Sequence, residues 1–315
     1  VRLPRGALLA VVATFMAVAP LRAQDAPLIV RGLRFKGNHA LDATQLSTAI
    51  ATTNSSWFAR ASMVRWMGLG EKRPFDQVEF ERDVLRVTLL YRKSGYLSVV
   101  VDTLVKRTPK DISITFLITE GLPVRLDSLT ILGLDSVAKP GAVTQDLPLR
   151  PGDPFNRILL DATSDTLVRR LRDRGYPDAI AFQSFERDKS ELAASAAIEL
   201  QTGPLSGVSG IGISGTKRIS PDVVRSLLAT RPGQQFSQEE LYRSQRNLYR
   251  SELFSFAAVS IDSAAYDPAS DSVPLTVRVT ESKPRRARGS VGYATEDCLR
   301  LGAGVTFRDF AGHGQ

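Results

Sequence analysis

A self-similarity written three times constrains this chain more than any single motif does. One copy opens with IVRGLRFKGNHALDATQLSTAI from Ile29, a second with VRLDSLTILGLDSVAKPGAV from Val124, and a third with GVSGIGISGTKRISPDVVRSLLAT from Gly207. Each begins as an alternating apolar strand and reaches a glycine turn at Gly37, Gly133 or Gly215, with a helical stretch after it in the first and third copies. Recurrence of one pattern along a chain signals one supersecondary unit used in tandem.

The helix signals sharpen the unit. In the third copy Ser220 is an N-cap with Pro221 at the first helical position, and Arg231-Pro232-Gly233 closes that helix. Ser237 and Glu240 have capping-box spacing, in which each side chain satisfies the other residue's backbone N–H. The helix they open carries Leu241, Tyr242, Leu248 and Tyr249 at helical spacing. In the first copy Asp76 and Glu79 open a helix through Val84, Val87 and Tyr91, which stops at Ser94-Gly95. In the second, Asn156 caps, Leu160, Leu167 and Leu171 face inward, and Gly175 ends the run.

Two strands follow each second helix: YLSVVVDTLV and DISITFLIT, PDAIAFQSFE and ELAASAAIELQT, FAAVSID and SVPLTVRVTE. The unit is thus strand, helix, helix, strand, strand: an α+β sandwich with two helices on one face of a small sheet. The first copy is lengthened by residues 54–73, NSSWFARASMVRWMGLGEKR, which include Trp57, Phe58 and Trp66. Local packing or a partner contact are both open to such a hydrophobic insertion.

The N-terminus reads as an export signal. Arg2 and Arg5 precede the apolar run Ala7 to Ala19, and small residues follow. That run is too short to span a membrane as a helix, so residues 1–23 are expected to be a signal peptide cleaved after Ala23, with Ala17 and Ala19 an alternative small-residue pair. With one cysteine, Cys298, no internal disulfide is possible in the chain. The two histidines, His39 and His313, are far apart in sequence, so neither a zinc set nor a nucleophile–base pair suggests itself, and no enzyme activity, metal or cofactor is expected. The net charge of +8 is spread along the chain apart from Lys283-Pro-Arg-Arg-Ala-Arg288, and no nucleic-acid-binding module accompanies it.

The tail, Val291 to Gln315, is glycine-rich but lacks the third glycine of a dinucleotide fingerprint. Leu299, Leu301, Ala303, Val305 and Phe307 alternate with Arg300, Gly302, Gly304, Thr306 and Arg308. Ten alternating residues match the length of a tilted strand crossing an outer membrane, with the first set lipid-facing and the second toward a polar lumen. A hairpin of a water-exposed β-domain has the same alternation.

The unit resembles the POTRA domain, through its Gly37-Asn38 turn and its Gly95-Tyr96 and Gly175-Tyr176 pairs; the third copy departs, with Ser251-Glu-Leu-Phe254 there. The tail from Arg286 is similar to the first barrel hairpin of the BamA/TamA family, ending in a turn at Asp309-Phe-Ala-Gly-His-Gly314. The resemblance implies three tandem β-α-α-β-β domains, at 27–123, 124–206 and 207–283, then the first two strands of a transmembrane β-barrel at 284–315, the rest of the barrel lying outside this sequence. It also implies an outer-membrane protein with periplasmic domains that assembles other β-barrel proteins. Its partners would be unfolded clients, periplasmic chaperones or accessory lipoproteins, and outer-membrane lipid.

In POTRA-like sheets the second strand lies at an edge, where an extended client can pair with it. The client-binding positions expected from that are Val99, Val101 and Thr103, then Ala181, Gln183 and Phe185, then Val259 and Ile261. Gly289, Val291 and Tyr293 would lie on a barrel seam strand weakened by glycine. A two-partner secretion transporter, which usually has two copies, and a structural periplasmic scaffold are the rival readings.

Overall fold

The computed structural model describes residues 28–53, 74–188, 192–283, 285–294 and 298–307. The expected signal peptide (1–23), the insertion at 54–73 with its three aromatic residues, the turn at 295–297, His313 and the terminal turn at 309–314 lie outside the described residues. The chain divides into two compact units, Val1–Pro123 and Val124–Gln315.

The first unit holds β1 (Ile29–Lys36), α1 (Ala43–Ala49), α2 (Gln77–Lys93), β2 (Val100–Arg107) and β3 (Asp111–Thr119). In the second, β4 (Arg125–Leu132), α3 (Gly141–Thr144), α4 (Arg157–Arg172), β5 (Ile180–Asp188) and β6 (Ala193–Gln201) come first. There follow β7 (Gly207–Ser214), α5 (Pro221–Leu227), α6 (Gln238–Arg250), β8 (Phe254–Ile261) and β9 (Ser272–Glu281). The strand–helix–helix–strand–strand unit is therefore present three times. The middle copy has a single-turn α3, at a place where no helix was expected.

All three sheets have the same order: β1-β3-β2, β4-β6-β5 and β7-β9-β8. The last strand of each unit is central, parallel to the first and antiparallel to the second. Central position explains its burial pattern. Ile112, Ile114 and Phe116 of β3 are fully buried, as are Ile198 of β6 and Val273 and Val277 of β9. The facing helix residues Val87 and Tyr91, Leu160, Leu167 and Leu171, and Leu241 and Leu248 close each core.

The turn glycines are obligatory on steric grounds. Gly37, Gly133 and Gly215 have φ of 82°, 82° and 91°. A Cβ on them would lie 2.1, 1.9 and 1.9 Å from the carbonyl oxygens of Ile118, Leu200 and Val279 on the central strand. No side chain fits there.

Two polar staples recur. The residue six beyond the start of each second helix accepts backbone N–H groups from the segment after the first helix. Asp83 accepts from Ala51 and Thr52 at 2.9 and 2.8 Å, Thr163 from Leu149 at 3.1 Å, and Ser244 from Ala229 at 2.9 Å. Asp83 is completely buried and also accepts from Arg86. Burial pushes its pKa up, but the hydrogen bonds from Thr52, Ala51 and Arg86 outweigh this and hold the carboxyl below its ordinary value. A second staple closes the glycine turn. Glu120 accepts from the backbone N–H of His39 and Ala40 and from the Tyr91 hydroxyl, and Glu281 accepts from the N–H groups of Lys217, Arg218 and Ile219. Thr202 holds the equivalent place in the middle repeat and meets the Ser136 hydroxyl at 3.3 Å.

Capping differs in detail from the expectation. Ser237 accepts from Glu240 N–H at 3.4 Å without the reciprocal bond, whereas the full capping box forms at Asp42 and Gln45. Tyr242 and Tyr249 are exposed, because α6 turns Leu241, Ser244 and Leu248 to the core and leaves those rings on its solvent side.

Within the second unit the second and third repeats are joined by specific bonds. Asp173 caps the Glu239 N–H at 2.8 Å, Gln235 donates to the Arg174 carbonyl at 2.5 Å, and the Tyr266 hydroxyl donates to Asp178. The last described elements are two antiparallel paired strands, β10 (Arg285–Ala294) and β11 (Cys298–Phe307).

Candidate functional site

Each repeat sheet has two outer strands, and they are not equivalent. The first strand carries a register irregularity early in its pairing, at Val30/Gly32, Leu126/Ser128 and Val208/Gly210. Its free side is also occupied near that bulge. The Phe75 N–H donates to the Leu28 carbonyl at 2.7 Å and the Phe155 N–H to that of Val124 at 2.8 Å, while Val208 and Gln234 bond through Val208 N–H at 2.8 Å. Bridges Ile29–Pro74, Arg125–Pro154 and Gly207–Gln235 complete this cover. A bulge and a covering loop are how proteins blunt an edge. Among the described residues the second strands, β2, β5 and β8, pair on one side only, with the central strand; β8 alone of these has a register shift, at Phe254/Phe256. Sequence reasoning missed this asymmetry, because the covering residues stand in the linker before the second helix and show no strand pattern.

The residues expected on those edges are distributed as follows. Val99 precedes β2 and is 5% exposed in the core; the strand begins at Val100 because residues 97 and 98 form a turn after the Tyr91–Tyr96 aromatic contact. Val99 is therefore not an edge residue. Val101 and Thr103 are half-buried on the helix-facing side of β2. Ala181 is half-buried, Gln183 is tied to α4 through the Asp161 carboxylate, and Phe185 packs on Phe155 with ring centroids 5.1 Å apart. The guanidinium groups of Arg157 and Arg187 stand 5.0 and 5.6 Å from the Phe185 ring. Val259 is buried and Ile261 half-buried.

The expected side chains therefore mostly back onto their own helix layer. What each edge offers outward is its backbone together with the intervening side chains: Val100 and Leu104, Ile180 and Phe182, and Phe256, all exposed. Period two left two possible faces, and the apolar positions with the strongest strand character were the ones the core had claimed.

In the hairpin, the register pairs Gly289 with Ala303, Val291 with Leu301 and Tyr293 with Leu299. Gly289, Val291 and Tyr293, expected on a seam strand, thus stand opposite members of the alternating set, and the same register sets Val305 opposite Ala287 and Phe307 opposite Arg285. Gly302 lies opposite Ser290, whose hydroxyl would be 2.5 Å from a Cβ there.

Among the described residues no group of three or more His, Cys, Asp or Glu could hold a metal ion. No described helix is long and apolar enough to cross a membrane, which says nothing about strands.

The comparisons with known proteins agree with this architecture. The POTRA family, described as "Surface antigen variable number repeat", matches residues 28–121 and 207–282. A putative outer membrane protein assembly factor of Treponema pallidum (strain Nichols) is 24% identical over 234 residues, covering 72% of this chain and 26% of the relative. Outer membrane protein assembly factor BamA of Neisseria meningitidis serogroup B is 23% identical over 293 residues, covering 91% of this chain and 35% of the relative. The chain thus spans between a quarter and about a third of these relatives' length. The crystal structure of POTRA domains 3–5 of Haemophilus influenzae BamA aligns with a TM-score of 0.50 at 18% identity, over 84% of this chain and 100% of that one. The Haemophilus ducreyi BamA structure lacking POTRA domains 1–3 gives 0.52 at 19% identity, over 60% and 35%. This chain belongs to the POTRA family and is homologous to the outer-membrane assembly factors of the BamA kind.

Proposed function

We propose that this chain is the periplasmic arm and barrel entrance of a factor that assembles β-barrel proteins into the outer membrane. Its relatives are outer-membrane assembly factors, so the repeats stand on the periplasmic side of that membrane. Unfolded outer-membrane proteins are the clients, and periplasmic chaperones or accessory lipoproteins deliver them. The repeats receive an extended client strand by pairing it with β2, β5 or β8, and hand it to a barrel that begins with β10 and β11 and opens sideways along β10. Main-chain pairing is indifferent to most client side chains, which suits a receptor of many substrates. An open hairpin cannot stay in lipid with unpaired backbone, so the face bearing Leu299, Leu301, Ala303, Val305 and Phe307 meets lipid only once further strands close the sheet.

One observation carries this reading: in all three repeats a bridge and a backbone bond cover the free side of the first strand, while among the described residues the free side of the second strand has no such cover, although β8 shares a register shift at Phe254/Phe256. Proline substitution tests it. Neighbouring N–H groups along a strand point to opposite sides, so of Val101→Pro and Asp102→Pro one removes an outward donor and the other a ladder donor. The variant that keeps the fold should lose cross-linking to an unfolded client peptide at the first repeat. Undiminished cross-linking in that variant would remove β2 from the client path.

A further inference from the structure

The face of each repeat sheet that carries no helices differs sharply in charge from copy to copy. In the first repeat an open trough of about 460 Å³ runs along this face, walled by Arg34, Lys36 and Lys106 and floored by Ser113 and Thr115. Those three cations have no ion pair among the described residues, and neither floor hydroxyl has a hydrogen-bond partner among them. Arg31, at one end, is neutralised by Asp111 at 3.0 Å, and Asp102 lies opposite Lys36 across Leu117 at the other. The cross-strand register places Gly32, Ser113 and Lys106 in one row and Arg34, Thr115 and Leu104 in the next. The second repeat has none of these cations at the corresponding positions: Thr130 stands where Arg34 does, Leu132 where Lys36 does and Glu186 where Lys106 does, with Asp127, Asp188 and Glu199 on the same sheet.

We infer that the open face of the first repeat binds an extended polypeptide segment with acidic side chains at alternate positions. This deepens the client-receptor reading and rests on it for the class of occupant. The spacing supports that occupant. Arg34 and Lys36 are two residues apart on a strand, about 6.6–7 Å, the same interval that separates alternate side chains of an extended peptide. The two walls stand on strands either side of the central one, about 9.5 Å apart, which leaves room for one peptide backbone over the small floor residues. Ser113 and Thr115 then donate to carboxylates that Arg34 and Lys106 attract. The second repeat, with Glu186 in place of Lys106 and no cation at the Arg34 and Lys36 positions, rejects such a segment and confines it to the first. A face-on site of this kind is separate from edge pairing along β2 and adds a preference for charge that main-chain pairing lacks.

The test uses the whole chain and two labelled synthetic peptides, one of alternating Glu and Thr and the other with Gln in place of Glu. Fluorescence anisotropy at low salt should give on the order of tenfold tighter binding of the Glu peptide, a preference that disappears at high salt. Arg34→Glu with Lys106→Glu should abolish the preference, and both positions are exposed, so circular dichroism should stay unchanged. A Glu186→Lys variant should keep it. Equal binding of the two peptides, or a preference surviving the double reversal, overturns the inference. So does an Arg34- and Lys106-dependent attachment to phosphatidylcholine vesicles containing about a third phosphatidylglycerol without peptide binding, which would make the occupant a membrane. Self-association lost on the same double reversal, read by sedimentation, would make it a second copy and overturn the inference too. Hydrogen exchange of the β2 amides with the Gln peptide separates the two claims. Protection there without an acidic preference sinks only the face-on site, whereas an acidic preference without β2 protection sinks only the edge reading.

Discussion

Replacing Glu281 with Gln should destabilise the third repeat and erase part of its acid sensitivity. Glu281 sits at the end of the central strand β9, with its side chain 8% exposed. One carboxylate oxygen accepts from the N–H groups of Lys217, Arg218 and Ile219 at 2.6, 2.7 and 2.9 Å, and the other from Arg218 Nε at 3.1 Å. Burial alone would raise the pKa. The three backbone donors and the Arg218 charge outweigh it, lowering the value from 4.5 to about 2. Because the folded value lies below the unfolded one, this stabilisation is fully present above pH 4.5 and is lost as pH falls toward 2. At about 1.4 kcal/mol per unit the displacement corresponds to roughly 3 kcal/mol, reduced to roughly 2–3 because Arg218 is 44% exposed. Gln keeps an acceptor but carries no charge, so most of that should go. Native-state hydrogen exchange of the Lys217, Arg218 and Ile219 amides, followed from pH 7 to acid, reads the effect locally. The native chain should lose protection on acidification and the variant should start lower with a flatter profile. A variant within about 0.5 kcal/mol of the native protein, with the same acid limb, would refute the charge-staple argument.

Three other substitutions have defined outcomes. Glu252 occupies the left-handed region, φ 56°, at the helix end where Gly95 and Gly175 stand in the other repeats; Glu252→Gly should stabilise the third repeat by about 1 kcal/mol in chemical denaturation. Asp83→Ala strips acceptors from the Ala51 and Thr52 amides and the partner from Arg86, and should cost about 3–5 kcal/mol in a thermal or urea melt of the first repeat. Tyr266→Phe removes the hydroxyl that donates to Asp178 and should speed hydrogen exchange at Glu239 and its neighbours at the joint of the second and third repeats, while the third-repeat core amides keep their protection.

Most of the repeat was legible from period and punctuation. The turn glycines were readable because no other residue fits against the central strand's carbonyls at Ile118, Leu200 and Val279. Helix starts at Asp76, Asn156 and Ser220 followed from cap chemistry that is local in sequence. The middle repeat was harder to delimit, since it replaces the strand-end carboxylate of Glu120 and Glu281 with Thr202 and has only four residues in α3. At the candidate site, strand alternation showed that two faces exist without saying which belongs to the helices. That is why Val101, Thr103 and Val259 were expected on a client surface and instead pack inward, and why Val99 falls outside the strand altogether. The cover over β1, β4 and β7 depends on the N–H groups of Phe75 and Phe155, which donate, and the Gln234 carbonyl, which accepts; their roles are tertiary and leave no local pattern.

Amide hydrogen exchange across all three repeats, with and without an unfolded outer-membrane-protein peptide, tests the central claim most directly. Client pairing predicts slowed exchange at alternate, outward-pointing amides of β2, β5 or β8, and unchanged exchange in β1, β4 and β7, whose free sides are bulged and covered. Protection confined to the first strands or the helices, or none at saturating peptide, would contradict it.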